Sequence, residues 1–419
     1  MTFLPRSLFG TFALLVLFLM HFYAWRRLVR APRLPRAWRW LFTAVLAGLF
    51  LSLPVCFAVM RTTPLDQRLG LTTTAFVWLG LLFYTVLLLA VADLVRLGDA
   101  IRRWVGRGSG KASTPACAAP PPTDDARPVP PPDDGVSRRE LLARATAGAV
   151  VLGAGGAGLA GWRGSGDITV PEVPVRLARL PRTLDGLRIV QLTDVHIGML
   201  VGGRFLRDVV ERANSLRPDL VVITGDLVDA EVDVLGPEMG PIFDLKSRWG
   251  TLFITGNHEY YSGADEWVDF LRAGGMRVLL NERVAVGDGG LTPDARGAGL
   301  DIAGVTDFRG GRGLPGHMPD LPAALAGRDP DRELLLLAHQ PKHVFEAAEH
   351  DVGLQLSGHT HGGQMWPFGQ LVRLVQPYVS GLHRHGEHTQ TYVSRGTGFW
   401  GPPMRVAAPA EITSVILTV

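Results

Sequence analysis

The sequence predicts an α/β domain preceded by an all-α membrane-spanning region, and three observations lead there. Three uncharged apolar runs of 19 to 21 residues fall within the first 92 residues. From residue 188 onward, short apolar runs alternate with helical patterns, the mark of buried strands connected by helices. The charge also divides: residues 1–165 hold 19 basic and 8 acidic side chains, whereas residues 166–419 hold 23 and 31. The overall net charge of +3 and pI near 9.1 therefore conceal a basic first part and an acidic second part. With 47% hydrophobic and 19% charged residues, the chain is not a disordered polyelectrolyte. Its two cysteines, Cys56 and Cys117, exclude a disulfide framework or a cysteine zinc ribbon.

The apolar runs at 7–25, 40–60 and 74–92 are each long enough to cross about 30 Å of hydrocarbon as a helix. They define a transmembrane region over residues 1–96. The first loop carries Arg26, Arg27, Arg30, Arg33, Arg36 and Arg39 without an acid, which places it on the cytoplasmic side. The second loop has only Arg61, Arg68 and Asp66 and can lie outside. Arg96, Arg102, Arg103, Arg107 and Lys111 then return to the inside. The N-terminus is expected outside.

Residues 97–144 read as a cytoplasmic linker, with eight prolines between 113 and 135. At its end, Arg138 and Arg139 precede an uncharged, glycine-rich run at 145–162, the expected fourth membrane segment. A paired arginine before a weakly apolar stretch is similar to a twin-arginine export signal, although such signals usually begin a chain. The plainer reading is a basic anchor for a membrane helix. Either way, residues 163–419 emerge on the outer side, giving a multi-pass protein of a bacterial inner membrane with an extracytoplasmic domain.

Within that domain, strands are expected at 188–193, 219–224, 251–255, 301–305, 333–338, 354–357, 389–394 and 412–419, with helices at 205–216 and 266–273. Polar residues cluster directly after five of these strands, where α/β proteins place their chemistry. Asp194 and His196 follow the first. Asp226 follows the second, Asn257, His258 and Glu259 the third, and His339 stands alone after the fifth. His359 and His361 follow 354–357. Carboxylates and neutral imidazoles suit Mn, Fe or Zn. Asp-x-His and His-x-His in an extended segment send both side chains the same way, and one carboxylate can bridge two cations. Taken singly each piece is weak, since a lone Asp-x-His is usually a capped turn and a lone histidine a core residue. Five together point to a dinuclear metal site. His343 and His350 read as solvated helix positions, and His383, His385 and His388 as non-ligands.

The ordered blocks DVH (194–196), GDLVD (225–229), GNHE (256–259), His339 and GHTH (358–361) resemble the signature of the calcineurin-like metallophosphoesterases. The tail, with YVSGLHR (378–384) and YVSRGTG (392–398), is similar to their membrane-associated bacterial phosphodiesterase branch. This resemblance implies a four-layer α/β/β/α sandwich. It implies Asp194, His196, Asp226 and His361 around a first metal, and Asp226, Asn257, His339 and His359 around a second. His258 would be the general acid or electrostatic partner of the phosphate, acting beside a metal-bridging hydroxide. Arg395 is a candidate substrate clamp, with a surface ion pair as the alternative. The expected cofactors are two divalent or trivalent ions. The expected substrate is a phosphodiester, lipid-linked if the aromatic residues Trp366, Phe368, Phe399 and Trp400 lean into headgroups. A soluble nucleotide phosphodiesterase or phosphomonoesterase is the alternative function, and a non-catalytic membrane scaffold a weaker one, because no ligand is missing. The acidic domain argues against a nucleic-acid partner; the bilayer is the other expected partner.

Overall fold

The computed structural model describes residues 6–59, 63, 65–108, 137–198, 200–287, 290–310 and 314–419. The proline-rich stretch at 113–135, together with Arg61 and Lys111, lies outside the described residues. The chain divides into two compact units, residues 1–58 with 78–158 and residues 59–77 with 159–419.

Among the described residues, four helices are long and apolar enough to cross a membrane: α1 (Arg6–Trp25), α2 (Arg36–Val59), α3 (Leu65–Gly108) and α4 (Arg138–Ser165). A five-residue π-turn, Arg26–Arg30, continues α1. Two boundaries differ from the sequence expectation. The helix begun at the third apolar run continues through residues 97–108, and α4 starts at Arg138 itself, so the linker drawn at 97–144 is shorter at both ends. The cause is that apolarity ends before helicity does: the four arginines and two leucines of residues 94–108 are good helix formers that do not extend the uncharged run, and no proline interrupts the helix. Within the helical unit, Ala24, Leu82, Leu89 and Val150 form a small buried cluster. Phe12, Leu15, Phe18, Trp40 and Leu51 are exposed. Trp78 Nε1 donates to His21 at 2.9 Å, and Tyr23 donates to Asp93 at 2.8 Å.

Among its described residues, the second unit holds fifteen short strands. They are β1 (Ile168–Thr169), β2 (Glu172–Arg176), β3 (Arg188–Leu192), β4 (Leu220–Ile223), β5 (Thr251–Phe253), β6 (Arg277–Val278), β7 (Glu282–Gly287), β8 (Gly290–Thr292), β9 (Leu300–Gly304), β10 (Glu333–Leu337), β11 (Leu354–Ser357), β12 (Gly381–His385), β13 (Thr389–Val393), β14 (Ala410–Glu411) and β15 (Thr413–Thr418). Six form one sheet in the order β2-β15-β3-β4-β5-β6, and seven form a second in the order β12-β13-β11-β10-β9-β7-β8. β3 through β6 run parallel, as do β9, β10, β11 and β13.

The alternation of side chains along each strand explains the layering. Ile189, Leu220, Val222, Leu335 and Leu337 point between the sheets and form one core. Their neighbours Val190, Leu192, Val221 and Ile223 pack on the opposite side with Leu206 and Val209 of α5 (Gly203–Ser215) and Trp267 and Leu271 of a further helix, Ala264–Ala273. Leu334 and Leu336 pack outward with Ala347 of the helix Val344–Glu349. The central strands are thus covered on both faces, which is why most of them read as largely apolar runs. The result is the expected α/β/β/α sandwich.

Candidate metal centre

The parallel strands of both sheets deliver their polar loops to one place. Asp194 and His196 leave β3, Asp226 leaves β4, Asn257 and His258 leave β5, His339 leaves β10, and His359 and His361 leave β11. Their ligand atoms form three overlapping groups, each within 4.8 Å: Asp194 with His196 and His361, His196 with Asp226 and His258, and Asp226 with His339 and His359. Asp226 and His196 each belong to two. Backbone strain marks the same residues. Asp194, His196, Asp226, His359 and His361 all hold φ between 50° and 71°, a left-handed conformation costing about 1–3 kcal/mol for such side chains. Gly256 and Gly358 make room: a Cβ on Gly256 would lie 2.2 Å from Asp226 Oδ1, and one on Gly358 would lie 2.1 Å from Asp194 Oδ2.

The donor set fits cations. His339 Nδ1 lies 2.8 Å from the Thr224 carbonyl, to which it donates, so its Nε2 carries the lone pair. That Nε2 is buried and, although 3.2 Å from Asp226 Oδ2, has no hydrogen-bond partner; Asn257 Oδ1 is likewise buried and orphaned. A buried imidazole nitrogen facing a carboxylate and a buried amide oxygen with no donor are both costly unless a cation fills the gap. His196 Nδ1 is held 2.8 Å from Asp229 Oδ1, leaving its Nε2 3.1 Å from His361 Nε2. Histidine ligands in metal sites are oriented by this kind of outer hydrogen bond.

Burial pushes His359 down to about 3, with His339 adding to the effect. Burial, then His196 and then Arg405, holds His361 well below the ordinary histidine range. Both are therefore neutral imidazoles, the metal-binding form. Burial raises Asp194. Burial opposes the charged form of His339, but Asp226 and Asp194 outweigh it and raise the imidazole well above its usual range. The carboxylates thus call for positive charge at this point, which either a proton on His339 or a cation supplies. Burial also works against the charge on His258, yet Asp226, Asp229 and Glu259 lift it to about 9.

Three residues make contacts within the candidate site that the sequence reading did not assign. Asp229, the last letter of GDLVD, lies with Oδ1 2.8 Å from both His196 Nδ1 and His258 Nδ1. Glu259, fully buried, accepts the backbone N–H groups of Asp226, Leu227 and Gly256 at 3.0, 2.7 and 2.6 Å, and so fixes the β4 loop against the β5 loop. Arg405 is buried beneath His361: its guanidinium donates to the carbonyls of Arg395 and Ala408 at 2.8 and 2.9 Å and lies 3.3 Å from His361 Nδ1. The first two stand in the motifs; Arg405 has no local signal.

Arg395 donates through Nε and Nη2 to Glu411 at 2.7 and 2.6 Å, and its side chain lies against Gly362. His343 is a correction: it is buried, not solvated, and stacks on Phe308 with ring centroids 4.0 Å apart, because its short helix turns that face inward. His383 and His385 lie on edge strand β12 and join none of the ligand groups found among the described residues. Trp400 and Tyr261 place their rings 5.7 and 5.2 Å from His258.

Comparison with known proteins agrees with this geometry. Residues 187–363 match the family model described as calcineurin-like phosphoesterase. The chain is 32% identical over 253 residues to an uncharacterised metallophosphoesterase of Aquifex aeolicus, covering 60% of this chain and 92% of that one. It is 31% identical over 292 residues to a metallophosphoesterase of Bacillus subtilis, covering 66% and 96%. It is also 40% identical over 253 residues to the transmembrane protein with metallophosphoesterase domain of Danio rerio, covering 59% of this chain and 57% of that one. The chain belongs to the calcineurin-like metallophosphoesterase family. Its match spans somewhat more than half the length of the Danio and Helicobacter pylori relatives, 57% and 62%.

Proposed function

We propose that the protein is a membrane-anchored, dinuclear-metal phosphodiesterase acting on lipid-linked phosphodiesters. The observation that carries the chemistry is the sharing of buried Asp226 between ligand groups from both sheets. In this reading Asp194, His196, Asp226 and His361 hold one ion, and Asp226, Asn257, His339 and His359 hold the other. When bound, two such ions of Mn, Fe or Zn supply Lewis-acid neutralisation of phosphoryl oxygens and a water made acidic near neutral pH.

The chain's own residues do the rest. Asp229 holds His258 through Nδ1 and leaves Nε2 for the leaving-group oxygen, and His258, charged in its carboxylate surroundings, has a proton to give there. Arg395 keeps Nη1 for a phosphate oxygen while Glu411 anchors the rest of the guanidinium. The rim of the site favours a lipid substrate. Trp400 and Tyr261 beside His258 are 53% and 54% exposed, and Trp366, Leu371, Leu374 and Val375 add further exposed apolar area, an arrangement suited to headgroup contact. The four long apolar helices would supply the anchor in a bacterial inner membrane. The arginine-rich 26–39 segment supports a cytoplasmic placement for that loop and an extracytoplasmic one for the domain, whether α4 is a permanent span or is exported through Arg138 and Arg139.

The test compares micellar phosphodiester lipids with soluble bis-p-nitrophenyl phosphate, using the Mn-loaded full chain and Trp400→Ala. Faster turnover of the micellar substrate, reduced by Trp400→Ala with the soluble activity retained, is expected. Equal use of both substrates by both proteins would sink the lipid assignment and favour small soluble nucleotides.

A further inference from the structure

Within the helical unit, arginines from three elements surround one cavity of about 940 Å³. The π-turn and the bend after it contribute Arg26, Arg27, Arg30 and Arg33, α3 contributes Arg96, and α4 contributes Arg139. Few carboxylates answer them. Asp93 is bonded by Arg27 and lies 3.5 Å from Arg96. Glu140 lines the wall but is held at 2.6 Å by Arg144, which does not. The side chains of Arg26, Arg30, Arg33 and Arg139 have no hydrogen-bond or carboxylate partner among the described residues.

The walls are built rather than incidental. A π-turn is rare and recurs at functional sites; here it gathers three arginines into five residues. Arg33 holds φ at 51°, a strained backbone that surrounding structure must maintain. Arg144 Nε donates to the Pro32 carbonyl at 3.2 Å and ties α4 to that bend. Arg96 is held from its other side by Thr146 at 2.6 Å. Like charges gathered in a fixed cavity repel one another unless an anion enters.

We propose that this cavity binds an anion bearing at least two phosphate groups. Guanidinium forks match phosphate oxygens in pairs, which favours phosphate over a simple halide or a single carboxylate. One phosphate would leave most of the volume and several guanidiniums unsatisfied. The cavity is of the size that holds a whole small ligand. Two sources carry this chemistry: the diphosphate headgroup of an anionic lipid such as cardiolipin, for which basic pockets between membrane helices are suited, and a soluble oligophosphate. None of the lining residues belongs to the metal-ligand set, so the inference stands apart from the catalytic reading.

The experiment uses the full chain in phosphatidylcholine nanodiscs with or without cardiolipin, and the delipidated chain titrated with tripolyphosphate. Bound ligand is read by native mass spectrometry and by the thermal midpoint. Charge-assisted contacts are worth about tenfold or more each. Arg30→Ala with Arg139→Ala is therefore expected to weaken binding by roughly a hundredfold or more. Arg138→Ala, an exposed neighbour absent from the wall, is expected to bind as the wild type does. Retention of cardiolipin without tripolyphosphate binding assigns the lipid source, and the reverse assigns the soluble one. Arg30→Lys with Arg139→Lys, which keeps the charge and removes the forks, covers the case in which the alanine pair unfolds; it is expected to melt normally and bind more weakly. Wild-type protein that binds neither anion, or variants that bind both as well as it does, would overturn the proposal.

Discussion

Asp229→Asn isolates the part of the site that orients rather than ligates. One carboxylate oxygen lies 2.8 Å from both His196 Nδ1 and His258 Nδ1. Asparagine keeps an oxygen in nearly the same place, so both contacts survive in neutral form. A charge-assisted hydrogen bond contributes about 1.5–3 kcal/mol and a neutral one about 0.5–1.5. The difference is about 1 kcal/mol per contact, or about 2 for the pair. At about 1.4 kcal/mol per tenfold this predicts a loss of roughly 10- to 100-fold, the range found for outer-shell partners of metal ligands. The two contacts separate experimentally. The His196 share should appear as weaker Mn binding to the apo-protein, measured calorimetrically. The His258 share should appear as lower kcat at saturating Mn with bis-p-nitrophenyl phosphate. Metal affinity and kcat both within about twofold of wild type would show that Asp229 orients neither imidazole, since the pairwise estimate leaves no room for so small an effect.

Asp226→Asn should fold yet lose both turnover and the rise in thermal midpoint that Mn gives the wild type, a rise set by about 2.7 kcal/mol when Mn is at a hundred times its Kd; calorimetry with and without Mn checks this, and full turnover would refute the shared-ligand role. His258→Ala should retain its metal content by elemental analysis while losing most of its turnover; an unchanged kcat would remove His258 from the chemistry. Glu259→Ala should leave the N–H groups of Asp226, Leu227 and Gly256 without an acceptor in the interior. At about 1–3 kcal/mol per orphaned donor, a loss of at least about 3 kcal/mol is expected in denaturant unfolding, and Glu259→Gln should recover part of it by keeping one acceptor oxygen.

The same physical constraint explains why some of this was readable from sequence and some was not. The strands β3, β4, β5, β10 and β11 are buried, so they are mostly apolar, with Gln191, Gln355 and Ser357 as buried exceptions, and the site's charged and imidazole side chains come only where each strand ends. That is why Asp194, Asp226, Asn257, His339 and His359 could be placed from their neighbours. β2 escaped detection because Pro174 interrupts it, and the structure tolerates that proline because β2 is the edge strand beside β15. The β7–β8 hairpin was missed because Glu282 and Arg283 open it and its other partner is a short strand with little apolar signal. α3 outran its apolar run because apolarity and helicity are different demands on the same residues.

Roles inside the site divide along similar lines. Asp229 and Glu259 were present as motif letters, but a letter shows that a carboxylate is there, not which donors it meets; only the convergence of the β3, β4 and β5 loops pairs Asp229 with two imidazoles and Glu259 with three amides. Arg405 lies 44 residues from His361 and outside every motif. Its burial is intelligible only in the folded chain, where the Arg395, Gly398 and Ala408 carbonyls turn inward around it. An arginine so enclosed cannot reach solvent to relieve its charge. It remains buried because those carbonyls satisfy its donors, and its guanidinium in turn disfavours a proton on His361. Burial and His196 do more to keep His361 neutral, and Arg405 adds to them, a contribution that no local pattern could have linked to His361.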